Sequence, residues 1–377
     1  MTSLSVDERK QLAQSVRAAC ERLSPEDRVR AVAYDGRQQH RGFDAEFWKV
    51  LCGQVGVAAI GLPERFGGAG YGATAMGVVA HELGRSLAPV PFVASVVLAT
   101  NLLLAADNPE ADERLSALID GERTAAAAVT GDGGLWHRDR VSVSAAHASA
   151  GWTLNGVVRH VLHGSSADDL IVVARANGDE LALFTLDART EGVMTAEESV
   201  LDGTRQMATI TFTSAPATHL SSGTLVDDVV SRCVDLAIAV LSAEQVGACE
   251  RVLEIATDYA RTREQFNRPI GSFQAIKHKC ADMLLDLEWA RSASQGALDA
   301  HDAGPADESA WRASMAKAVC SESLRNAAHA NVQIHGGIGF TWEDSAHLYV
   351  RRARTDEVLF GKPAEHWERL RAEAKIV

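Results

Sequence analysis

Residues 259–283 read "YARTREQFNRPIGSFQAIKHKCADM" and gather Arg261, Arg263, Arg268, Lys277, His278 and Lys279 within nineteen positions of a chain whose formal net charge is −13. Arg263 ends a long segment in which apolar residues return every three or four positions. The Pro269 and Gly271 that follow are turn residues, and the run from Phe273 to Met283 resumes the helical spacing. A turn between two antiparallel helices brings its arginines together at one end of a bundle, where Arg263 and Arg268 can fork onto phosphate oxygens. The alternative is a solvated helix end whose basic side chains face neighbouring carboxylates.

Outward from this turn, the spacing predicts helices over 226–262, 273–303, 307–335 and around 343–360. Upstream the texture is different. "GWTLNGVVRHVL", "DLIVVARA", "ELALFTLD", "GVMTAEES" and "MATITFTS" are short β-rich runs, with turns expected at Asn155-Gly156 and Asn177-Gly178. Before residue 120 the pattern is helical again, in "RKQLAQSVRAACERL", "DAEFWKVLCGQVGVAAI" and "TAMGVVAHELGRSL", interrupted by the glycine-rich loop "LPERFGGAGYG". The expected blocks are helical over 1–122, β over 123–222 and helical over 223–377.

With 377 residues, 46% of them hydrophobic and 23% charged, the chain has the composition of an ordinary globular protein. Its acidic balance argues against nucleic-acid or anionic-membrane partners, which need a broad positive field. Any anion it binds must be met by a local cluster. No apolar run approaches the ~20 residues of a membrane span, and the first residues lack the apolar core of a secretory signal, so the chain reads as cytoplasmic. Six scattered cysteines without a CxxC pair suggest neither disulfides nor a zinc site.

Residues 259–283, together with "VQIHGGIGFTWEDSAHLYVRRA" (332–353) and "LPERFGGAGYG" followed by "AHELGRSLAPVP", resemble three segments of the acyl-CoA dehydrogenase family. The resemblance spans nearly the whole chain. It implies an α+β, mostly α fold: an N-terminal helical domain, a middle β-barrel-like domain and a C-terminal four-helix bundle. It further implies FAD shared between subunits, α,β-dehydrogenation of an acyl-CoA thioester, an electron-transfer flavoprotein-like acceptor, and a homo- or hetero-oligomer with a chain of the same family. Carried over by position, Arg263 falls on the pyrophosphate-binding arginine with Gln265 and Phe266 beside it. Gln333, Gly336 and Gly337 fall on the Gln-x-x-Gly-Gly loop that approaches the same diphosphate. Asn267 stands where glycine is usual, a position asparagine tolerates in left-handed backbone.

The chain departs from the family at the reacting end. The usual base positions align with Phe360 and Ala237, neither of which accepts a proton. Glu244, the lone acid of "LAIAVLSAEQVGA", lies two helical turns after Ala237 on nearly the same face and is a substitute base, or else a partner of a buried arginine. Asp356 and Glu357, in "RRARTDE", read as part of a solvated helix face. On the flavin side, "VTGDGGLWHRD" retains Thr130 but loses the family's Gly-Ser pair, and "HVLHGSS" puts His160 at the aromatic position. His160 and His163 can donate to a flavin or face solvent. The residues for a neighbour's cofactor are thus present, while those for the chain's own flavin and proton chemistry are mostly replaced.

Overall fold

The computed structural model describes residues 4–35, 40–149, 151–176, 178–223 and 225–374. The N-terminal part contains α1 (Val6–Leu23), the short α2 (Glu26–Arg30) and α3 (Ala45–Val50), α4 (Ala73–Ser86), α5 (Thr100–Ala106) and α6 (Pro109–Leu118). Ser5 and Glu8 form a reciprocal capping box that starts α1. The N-terminus of α4 is capped from far along the chain, where Asp302 accepts from the Ala73 and Thr74 N–H groups. That contact ties the first helical layer to the C-terminal bundle. Between α4 and α5 the buried stretch Phe92–Ala99 winds as a π-helix.

The middle part holds β1 (Ala125–Ala128), β2 (Ser144–Ala148), β3 (Gly151–Leu162), β4 (Asp169–Ala176), β5 (Glu180–Asp187), β6 (Val193–Glu197) and β7 (Met207–Ser222). Strands pair in the ring β4-β2-β3-β7-β5-β4, which closes a small barrel, with β1 added to β4 and β6 to β7. Its interior is filled by residues such as Leu154, Val158, Val172, Phe184 and Phe212. The turn expected at Asn155-Gly156 does not form. β3 runs straight through it with a bulge, held by the Asn155 Oδ1 that accepts from Ser214 N–H of β7 at 2.8 Å. Asn177 lies outside the described residues.

The C-terminal part is α7 (Leu225–Thr262), a two-residue-per-strand hairpin β8 (Glu264–Gln265) and β9 (Arg268–Pro269), α8 (Gln274–Ala303), α9 (Ala306–His335), α10 (Ala346–Val358) and α11 (Pro363–Glu373). The periodicity located four of these helices. α11 has no such signal of its own: it is short, starts on Pro363, and is fixed by tertiary contacts, including the Arg369 fork onto Asp235 of α7 at 2.6 and 2.9 Å. One core runs from the N-terminal helices into α7, and a second fills the bundle between α7, α8, α9 and α10. Among the described residues no helix is long and apolar enough to cross a membrane.

Candidate active and cofactor sites

At the far end of α7 the chain reverses through Phe266 and Asn267, both left-handed at φ 54° and 58°. With Gln265 paired to Arg268, two positive-φ residues make a type I′ hairpin loop. Asn267 adopts that geometry readily. Phe266 does not, and a bulky side chain there costs on the order of 1 kcal/mol; it is also 85% exposed. Arg268 lies over the Phe273 ring at 4.0 Å, which stiffens the loop.

Arg263 and Gln265 are exposed, and Arg263 forms no ion pair among the described residues. One turn back, Tyr259 stacks on His335 with ring centroids 4.0 Å apart. His335 ends α9, so Gln333, Gly336 and Gly337 lie at the same end of the bundle as Arg263. Gly336 has φ 67° and ψ −139°, a region only glycine adopts easily. At Gly337 an added Cβ would meet nothing within 4 Å. Packing inside the chain therefore gives no reason for that glycine, whereas close approach of an external group does.

A second site lies where the barrel meets α7 and the α10–α11 turn. Thr130 is buried in the loop after β1. Gly133 O accepts from the Phe360 N–H at 3.3 Å, and an added Cβ on Gly133 would stand 2.9 Å from His160 Cβ. His160 sits in an irregularity of β3 at φ 56°; its backbone N–H and ring nitrogen are both engaged by Glu198, and its side chain is 52% exposed. Phe360 (φ 57°) is pinned from below, because the buried His366 of α11 bonds the Phe360 carbonyl at 2.9 Å. Together with Trp136, Leu98 and Val234 these groups leave a void of only about 30 Å³. That is room for a water or two, far short of the several hundred Å³ of a ligand site.

Glu244 is not at this cleft. It accepts from Arg205 and from Arg352, and adjoins a separate void of about 10 Å³. Arg352 also donates to Asp202 at 2.7 Å and to Thr204 Oγ1 at 2.6 Å, and Arg205 pairs with Asp356 at 3.1 Å. Lys317 of α9 completes the group, donating to Ser321 Oγ and to the Asp356 and Glu357 carbonyls at the end of α10. Three acids and three bases are thus buried together where barrel, α7, α9 and α10 meet. Burial pushes the Asp356 carboxyl up to about 6, although Arg205 and Arg352 oppose the shift, and pushes the Lys317 ammonium down to about 8.

Of the two readings of Glu244, the structure shows the pairing with buried arginine, since two guanidiniums hold it. One expectation is corrected. "RRARTDE" is not a solvated face, since Arg352 is 2% exposed and Asp356 fully buried. The arginines that hold Glu244 are far from it in sequence, Arg205 39 positions before it and Arg352 108 positions after it, so no local pattern pairs them. The two histidines also divide. His160 is half exposed, but His163 is buried, its Nδ1 has no partner among the described residues, and burial pushes its pKa down to about 3.

The N- and C-terminal parts match the families described as "Acyl-CoA dehydrogenase, N-terminal domain" over residues 6–122 and "Acyl-CoA dehydrogenase, C-terminal domain" over residues 228–374. The chain belongs to the acyl-CoA dehydrogenase family. Acyl-CoA dehydrogenase IpdE2 of Mycobacterium tuberculosis is 34% identical over 88% of either chain, and the Mycolicibacterium smegmatis protein of that name is 33% identical over 97% of this chain and 99% of its own. Among solved structures, the ChsE4–ChsE5 complex of Mycobacterium tuberculosis superposes with TM-score 0.86 at 27% identity, covering 100% of both chains. A variant of the Tcur3481–Tcur3483 steroid ACAD gives TM-score 0.86 and 27% identity over 98% of both. Family members are FAD-dependent oxidoreductases, and the α+β, mostly α architecture expected from the sequence is the one observed.

Proposed function

We propose that this chain is one subunit of an FAD-dependent acyl-CoA dehydrogenase and that its bundle end holds the FAD diphosphate for a flavin seated in a neighbouring chain. The observation that carries the reading is the contrast between a cleft filled to about 30 Å³ around Phe360 and a bundle end that presents exposed Arg263, Gln265 and Gln333 with an unobstructed Gly337. Arg263 supplies two forked donors for the diphosphate, Gln333 a side-chain amide, and Gly336-Gly337 a backbone close enough to approach phosphate oxygens. When bound, the flavin supplies the hydride acceptor for oxidation of the acyl Cα–Cβ bond. Phe360 and Ala237 leave this chain without a carboxylate at the usual base positions, so the proton acceptor belongs to the partner. A base at Glu244 would require its carboxylate to leave both arginines.

Both solved relatives are named for two different chains, which supports a heteromeric partner, and one is named as a steroid enzyme, which makes steroid CoA thioesters the first acyl class to assay. An electron-transfer flavoprotein-like acceptor is the expected electron sink. The test is the flavin spectrum of the chain purified alone and after co-expression with another family chain encoded beside it. We expect little flavin alone, an oligomer in light scattering, and about one flavin per pair of chains in the complex. Stoichiometric flavin in the chain alone, bleached by an acyl-CoA, overturns the assignment.

A further inference from the structure

A groove unrelated to either site runs along the outside of the molecule. α1 packs on α4, and α8 packs on α7 and α4, so the space between α1 and α8 stays open with α4 and α7 as its floor. Its volume is about 820 Å³, in the range of small-molecule sites. The floor carries the apolar Val78, Ala243 and Val246, and Ala13 of α1 and Leu298 of α8 extend the apolar surface up its walls.

The charges around it are unequal in what they lack. Glu82 is met by Arg17 and His81, Arg291 by Glu250 and Glu288, and Asp299 accepts from Gln295 at 2.7 Å. Arg9 and Lys10 on the α1 side have no carboxylate partner among the described residues, and the Arg9 Nε is shielded from water with no acceptor. A shielded donor without an acceptor is costly, and an incoming anion relieves that cost.

We propose that this groove binds an amphipathic organic anion, its apolar body lying on Val78, Ala243, Val246 and Leu298 and its carboxylate meeting Arg9 and Lys10. The site is independent of the flavin contacts, because none of its residues lies at the bundle end or the Phe360 cleft. The test uses the full chain in its native assembly with 8-anilinonaphthalene-1-sulfonate as fluorescent probe and decanoate as competitor. We expect saturable binding, displacement by decanoate but not by decanol, about a tenfold rise in Kd for the Arg9→Glu/Lys10→Glu variant, and loss of binding in Val78→Trp, which fills the groove. Flavin content stays unchanged in both variants. Equal binding in parent and variants, displacement by decanol as strong as by decanoate, or a groove sealed by another chain so that probe binds only on dissociation, each overturns the proposal.

Discussion

The bundle end around Arg263 and the cleft around Phe360 use the same devices for opposite ends. Both place bulky residues in left-handed backbone, Phe266 and Asn267 in one, His160 and Phe360 in the other. At the bundle end the strained loop is exposed and Arg263 has no ion-pair partner among the described residues. At the cleft the strained residues are tied to neighbours, Phe360 by Gly133 and His366 and His160 by Glu198. Under the proposed function, the outward strain at the bundle end serves a ligand while the strain held by neighbours closes a space, and one subunit keeps half of a shared site with the other half filled.

The largest effect expected is at the buried charge group around Glu244. Glu244→Gln leaves Arg205 and Arg352 short of a counter-charge, and breaking such a pair costs about 3–5 kcal/mol. Urea unfolding of the variant checks this; a midpoint equal to the parent's would show the network to be idle. In the part that folds, flavin reduction by substrate in the heteromeric complex stays within a few-fold of the parent. A fall by orders of magnitude in a folded complex would instead make Glu244 the base.

Arg263→Ala attacks the open end. It leaves the diphosphate charge poorly met and weakens flavin retention by roughly 2–4 kcal/mol, as for truncation of a desolvated charge pair, while the unfolding midpoint hardly moves because Arg263 is exposed and makes no ion pair among the described residues. Flavin occupancy after dialysis is the measurement. Unchanged occupancy removes Arg263 from the cofactor site.

Acid sharpens the contrast further. Burial holds His366, beneath Phe360, and His163, beside the Glu244 void, at about 3, against about 6.5 in the unfolded chain. The folded state then binds fewer protons than the unfolded state between these values, so stability is present above 6.5 and is lost as pH falls towards 3. Asp356 acts oppositely below 6, because its folded pKa is raised. Two histidines against one carboxyl leave a net loss of about 2–3 kcal/mol at pH 5 relative to pH 7. The urea midpoint at pH 5 should lie below that at pH 7, with a smaller gap in His163→Leu; a midpoint that rises on acidification contradicts the buried neutral assignment.

What could be read in advance follows the same division. The long helices α7, α8 and α9 declare themselves by apolar spacing, and the Arg263 loop by its local run of turn and basic residues. Glu244 and Asp356 do not, because their surroundings are set by Arg205, brought in by the packing of the β part on the bundle, and by Arg352, brought to Glu244 by the packing of α10 on α7. The Phe360 plug is visible as a missing carboxylate, but that it seals the space depends on α11, whose short sequence has little signal. β3 misleads for a similar reason: Asn155-Gly156 has hairpin chemistry, yet Ser214 of β7 turns it into a bulge.

The smallest effect expected separates the two regions most cleanly, because it compares one methyl group at each. In Gly133→Ala the new Cβ stands 2.9 Å from His160 Cβ at a residue with φ 66°, so the fold itself must shift and the unfolding midpoint falls. In Gly337→Ala the Cβ meets nothing within 4 Å and φ is not in the left-handed region, so stability should stay within about 0.5 kcal/mol of the parent. If the diphosphate of a neighbour's FAD approaches that backbone, the same methyl group stands in its path. Flavin retention by the complex then drops by about 1 kcal/mol, or roughly fivefold, without any change in fold. Denaturation and dialysis of the two variants side by side decide the matter. A Gly337→Ala complex that keeps its flavin as well as the parent would mean that the open space at the bundle end is solvent, and the cofactor contact would have to be sought elsewhere on the chain.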